Sequence, residues 1–156
     1  MCVIVGHGLL AREVRGPMSV QGEPETTEVQ MRRYRCRACK AVLVVGPRGV
    51  LRRRIYTASA IAVALEAYGR SVSSAAVRES TSPSKTIGVA ARDRWVTLTR
   101  WIDAVRSGEL FGVRGFGGLA RRVAAAQVAL ALAARGGRAI GADITAAVFA
   151  GAAIAA

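Results

Sequence analysis

Apolar and polar positions divide the chain into four stretches of different character. Residues 1–54 read as β-strands and turns, 55–106 as helices, 107–118 as a glycine-rich linker and 119–156 as Ala-rich helices. In the first stretch Gly16-Pro17 and Gly22-Glu23-Pro24 are turn signals. Residues 27–43 read as extended chain broken by a cysteine pair. Strand alternation would set Met31, Arg33 and Arg35 on one face and Arg32, Tyr34 and Cys36 on the other. Gly46-Pro47-Arg48-Gly49 makes a turn, and Arg52-Arg53-Arg54 leads into the helices.

The helical half is well punctuated. Over residues 56–69, Thr57 can cap the first turn, Tyr56 and Ile61 occupy staple positions, and Gly69 is a natural stop. Ile61, Leu65 and Tyr68 recur at helical spacing. A short second helix is expected over 72–79, with Val72, Ala76 and Val77 as its apolar side. Ser82 followed by Pro83 signals a third helix, expected to run to about Arg106. At about 100° per residue, Ile87, Ala91, Leu98, Trp101, Ile102 and Val105 form one stripe, with Lys85, Val89 and Arg92 opposite. Arg94 falls inside that stripe without a rationale, and Gly88 weakens the first turns. Trp95 and Trp101 are expected in the core. Two more helices are expected over 119–135 and 143–155, with Gly136-Gly137 between them and Asp143 as a cap. The first is apolar nearly all round, so it must be buried in this chain or against a partner, and a homodimer through the C-terminal helices is the expectation. The fold class is α+β, mainly α.

Composition sharpens this picture. The chain has 156 residues, enough for one ordinary domain or two very small ones. Hydrophobic residues make up 52%, which excludes wholesale disorder, and aromatics only 5%, so the core is built mainly from Ala, Val, Leu and Ile. Lys and Arg number 23 against 10 acids, a net charge of +13. GC-rich coding would explain Arg over Lys but not the shortage of acids. Residues 32–54 hold nine cations, Arg32, Arg33, Arg35, Arg37, Lys40, Arg48, Arg52, Arg53 and Arg54, and no acid. Such a run repels itself without a counter-anion, so nucleic acid is the expected partner, ahead of an anionic membrane surface. No signal peptide is evident, and the apolar end of the chain carries Asp143, so a membrane span is not expected and the protein is read as cytoplasmic.

Three cysteines, Cys2, Cys36 and Cys39, are poor disulfide arithmetic and better metal arithmetic. Cys36-Arg37-Ala38-Cys39 has the spacing of one zinc knuckle and supplies half a structural site. Cys2 and His7 are the other good ligands, so the expected set is Cys2, His7, Cys36 and Cys39. The plain alternative is a pair of free thiols. A redox pair would need a strand-to-helix setting, and apolar strand-like residues follow instead.

The stretch Arg32-Arg33-Tyr34-Arg35-Cys36-Arg37-Ala38-Cys39, the basic turn after it and Tyr56-Thr57-Ala58 opening a helix resemble a known arrangement. It is the N-terminal zinc-ribbon plus helix-turn-helix region of bacterial insertion-sequence transposases and of related short uncharacterised proteins. The likeness covers about residues 1–106. It implies that Cys36 and Cys39 match the family's second knuckle and that Gly6-His7-Gly8 matches a segment following the first. The family's first knuckle is itself a C-x-x-C pair, where this chain has Cys2 alone.

Three helices with a short turn before the third also have the plan of a helix-turn-helix unit, in which the start of the last helix enters the major groove. Ser84, Lys85, Gly88, Val89 and Arg92 would then face DNA. A generic three-helix bundle is the bland alternative. The transposase catalytic core is absent: after Asp103 only Glu109 and Asp143 remain as acids, with no strand-rich region to carry them. The glycine-rich stretch lacks Gly-Lys-Ser/Thr and so has no phosphate-binding signature. A cysteine nucleophile would lack an orienting partner. The expectation is a DNA-binding protein without a catalytic site, the alternatives being an RNA-binding zinc-ribbon protein and a membrane-surface or assembly protein.

Overall fold

Three strands come first along the chain and five helices follow. A computed structural model describes residues 2–91, 94–137 and 143–156. The strands β1 (Ile4–Gly16), β2 (Glu25–Cys36) and β3 (Val42–Val45) form one antiparallel sheet in the order β1-β2-β3. The helices are α1 (Ala58–Gly69), α2 (Ser74–Thr81), α3 (Val96–Arg106), α4 (Arg121–Arg135) and α5 (Ile144–Ala155). The class is α+β, with more residues in helices than in strands.

The β1–β2 hairpin is long, its pairing running from Gly16↔Glu25 out to Ile4↔Cys36. One bulge breaks the register, where His7 and Gly8 together stand against Arg33. Gly8 carries the required left-handed backbone, with φ +90°. The base of the hairpin is stitched to the helical half. Arg15 N–H donates to the Ile55 carbonyl at 2.8 Å, and Thr57 N–H donates to the Arg15 carbonyl at 3.1 Å. Gly16, at φ +119°, lies so close to the first turn of α1 that any side chain there would strike Ala60.

The helices share one core. Ile61 and Leu65 of α1, Leu98, Ile102 and Val105 of α3, Val128 and Leu132 of α4 and Val148 of α5 are fully buried within it. Thr57 caps α1 by accepting from Ala60 N–H, as its position before an Ala-rich helix predicts. Tyr56, Trp95 and Trp101 meet edge to face, with centroids 4.9–5.9 Å apart. Each such pair contributes about 0.5–1.5 kcal/mol beyond its buried area. Tyr56 also donates its hydroxyl to Ser82 Oγ at 3.0 Å, and the Trp95 backbone N–H donates to Ser74 Oγ at 2.9 Å, so the cluster is tied to α2 as well. The apolar helix α4 is buried within this chain, against α1 and α5.

Two expectations are corrected. The third helix does not run from Pro83; it begins at Val96, preceded by irregular chain and a 3-10 turn at Val89–Ala91. Ser82 is extended and closes α2. Its hydroxyl does accept from Ser84 N–H, but Thr86, Ile87, Gly88 and Val89 follow, a run of poor helix formers with Gly88 at φ +74°. Ile87, expected on the buried stripe, is 89% exposed. Arg94 consequently lies in the exposed segment before the helix, which removes its conflict with the apolar stripe. The 107–118 stretch is not an open linker, because Leu110, Phe111 and Val113 turn into the shared core.

α4 and α5 touch through glycine. A Cβ on Gly151 would strike the Leu132 carbonyl, and one on Gly136 the Ala147 carbonyl. Gly151→Ala is therefore expected to destabilise the protein by about 1–3 kcal/mol, read as a lower urea midpoint at unchanged m-value. Glu66 is 4% exposed and pairs with Arg70 Nε at 2.6 Å. Burial raises its pKa more than Arg70 lowers it, and Asp143 raises it further. The fold thus favours protonated Glu66, and that part of stability is lost as pH rises from the ordinary carboxylate pKa through the raised one. Glu66→Gln should flatten stability against pH across that window, measured by thermal unfolding.

Candidate functional site

The open end of the hairpin gathers the cysteines. Ile4 pairs with Cys36, and Arg37 N–H donates to the Val3 carbonyl at 2.9 Å, which extends the ladder past Ile4 and carries Cys2 alongside the turn after β2. That turn is closed by Lys40 N–H donating to the Cys36 carbonyl at 3.0 Å, with Lys40 itself in left-handed backbone at φ 63°. It aims Cys39 back at Cys36. The three sulfurs of Cys2, Cys36 and Cys39 all lie within 4.8 Å of one another, close enough to hold a metal ion. Cys2 and Cys39 are exposed and Cys36 is buried.

His7 does not join them. Five residues of extended chain separate it from Cys2, roughly 16 Å at strand spacing, and the bulge holds it against Arg33 instead. The ligand set is corrected to three cysteines. Backbone N–H groups of Cys39 and Ala38, with the Cys39 side chain, hold the Cys36 thiolate and lower its pKa to about 7. The same network raises Cys2, chiefly through its hydrogen bond to Cys36, because Cys2 supplies the proton.

Charged residues occupy both faces of the sheet, with Glu25 at the turn end of the face that carries Arg33 and Arg35. Directly opposed residues of an antiparallel pair share a face. One face therefore carries Arg33 and Arg35 with Arg12, which opposes Val29 two places along from Met31. Arg12 donates to the Arg54 carbonyl, so the Arg52-Arg53-Arg54 turn sits at the base of that same face. The other face carries Arg32 and Tyr34 beside Glu13 and Glu28, which oppose each other. The alternation expected for 31–36 is the one found. Arg32, Arg35, Arg37, Lys40, Arg48, Arg52 and Arg53 are exposed, while Arg33 and Arg54 are half-buried. Among the described residues, the ion pairs join Arg70 to Glu66 and Arg106 and Arg121 to Asp103; none involves a cation between Arg32 and Arg54.

The chain matches no family model, curated protein or solved structure with which it was compared. Its site therefore stands on geometry alone.

The positions expected to read DNA from a helix are placed differently. Ser84, Lys85 and Gly88 lie on exposed, non-helical chain, with Val89 at the 3-10 turn, and Arg92 falls outside the described residues. Ser84 and Lys85 border an open groove of about 690 Å³ beneath α2, which also receives Glu23 and Glu79 and so has mixed charge. Sequence reasoning missed the solvent-facing apolar residues of the sheet. Leu9 is 62% exposed and Ile4 58%, with Leu43 and Val45 on the same face. Period-2 alternation cannot expose these, because both faces of β1 and β3 are apolar at their outer ends.

In metal-free protein, iodoacetamide should label Cys36 with a rate that rises through about pH 7, whereas Cys2 should respond only at higher pH. Peptide mass spectrometry separates the two. Coincident profiles near the ordinary thiol value would show that the turn does not organise the thiolate.

Proposed function

We propose that this protein binds nucleic acid, duplex DNA in particular, through the arginine-bearing face of its sheet, in the manner of the DNA-binding region of transposases. The observation that carries this reading is the block of nine cations between Arg32 and Arg54, which has neither an acid within it nor an ion pair among the described residues. A phosphate backbone supplies the missing counter-charge. Arg33 and Arg35 meet no acid across the ladder, since Glu13 and Glu28 lie on the opposite face and Glu25 stands at the far end beside Gly16, which supports this side of the sheet as the anion-facing side. β-ribbons and sheets can lie in a DNA groove, so a helix is not required for contact.

In this reading the cysteine cluster serves the sheet. An ion held at Cys2, Cys36 and Cys39 would clip the free end of β1 to the turn that carries Arg37 and Lys40, holding those cations at a fixed spacing. α1 and α2, joined by residues 70–73, supply a helix-turn-helix-like pair. The outward side of α2 shows Ala76, Glu79 and Ser80, a poor surface for reading bases. Base reading from a helix therefore receives less support than backbone contact from the sheet.

Fluorescence anisotropy with a labelled duplex tests the proposal. With about five phosphates neutralised, log K should fall against log salt with a slope near −4 to −5. The Arg33→Ala, Arg35→Ala double variant should weaken binding at every site and reduce the slope by about two. An affinity unchanged between low and moderate salt sinks it. Preference for a structured RNA competitor over duplex would redirect it to RNA.

A further inference from the structure

Zinc in a structural site takes four ligands, and a fully protein-built site would surround it with tetrahedral N or S donors. Only three donors converge here. Among the described residues no His, Asp or Glu belongs to the group, and His7 is held away by the bulge in β1. Cys2 and Cys39 are both exposed, so the vacant side of the cluster faces solvent. The sulfurs already lie within 4.8 Å of one another, and small rotations of two surface side chains would bring them to about 3.8 Å, the separation that a bond length near 2.3 Å requires.

We propose that Cys2, Cys36 and Cys39 form a three-thiolate site for a soft ion that is complete with three sulfur ligands, trivalent arsenic or its congeners, held in preference to zinc. Thiolates select soft ions, and with three protein sulfurs zinc must take its fourth ligand from water, whereas an ion complete with three needs no further donor. Trivalent arsenic bonds three sulfurs in a pyramid and points its lone pair at the fourth position, which here is the open side. The chemistry balances without an oxidant. Each thiol of Cys2, Cys36 and Cys39 replaces one hydroxyl of arsenous acid; three As–O bonds break, three As–S bonds form, and each thiol proton leaves with a hydroxyl as water. The inference rests on the cysteine cluster alone and does not depend on what the arginines bind.

The test mixes reduced, metal-free full-length protein with one equivalent of arsenite, then reads intact mass and the number of thiols still open to a colorimetric disulfide reagent. The expected result is a one-to-one adduct, loss of all three reactive thiols, and no protection by an equal concentration of zinc. Cys2→Ser should lose stoichiometric capture while thermal unfolding stays as in the parent, since Cys2 is exposed at the sheet's end and remote from the helical core. His7→Ala should capture as the parent does. Three thiols left reactive, capture blocked by equimolar zinc, unaltered capture by Cys2→Ser, or loss of capture in His7→Ala would each overturn the proposal. Duplex binding, measured separately on the same samples, reports on the nucleic-acid reading alone.

Discussion

The rings of Tyr56, Trp95 and Trp101 meet edge to face where the hairpin, α1, α2 and α3 come together, and that part of the architecture hangs on the contact. Tyr56 precedes α1 and bridges to Arg15 at the base of the hairpin. Trp95 precedes α3 and is anchored through its backbone to Ser74 at the start of α2, while Trp101 lies within α3. With so few aromatics in the chain, concentrating three of them here gives a core otherwise made of Ala, Val, Leu and Ile one rigid, directional point. Small side chains let helices approach closely, as Gly136 and Gly151 do, but they specify relative orientation weakly.

Local signals carried much of this fold. Thr57 before an Ala-rich run, Asp143 before another and the alternation through Arg32–Arg35 each name a structure that nearby residues suffice to form. What failed was decided elsewhere. Ser82-Pro83 is a sound helix start, yet the residues behind it cannot propagate one, and Trp95 is drawn into the ring cluster instead. The glycines of 107–118 mask Leu110, Phe111 and Val113, whose burial depends on partners distant in sequence. In the site, the Cys36–Cys39 turn is local and legible. Cys2 reaches it only through the full length of a hairpin, and the exclusion of His7 follows from a bulge that no spacing rule reveals.

The two chemical features of the sheet are distinct in kind but share one strand. β2 presents Arg33 and Arg35 to one side and ends in Cys36, whose backbone neighbours hold its thiolate. Among the described residues no ion pair joins a cation between Arg32 and Arg54 to an acid, and the three sulfurs lie close enough to hold a metal ion. The cysteines lie at the end of the sheet away from the helices, whereas Arg52-Arg53-Arg54 leads directly into Tyr56 of the helical core.

The register of a hairpin decides which residues share a surface, and a shift of one residue would exchange its two surfaces. The stitching through Arg15 and Ile55 pins one end. An ion across Cys2, Cys36 and Cys39 would pin the other, converting a ribbon into a closed ring. Such a pin would hold the register that sets Arg33 and Arg35 on one surface and Glu13 and Glu28 on the other.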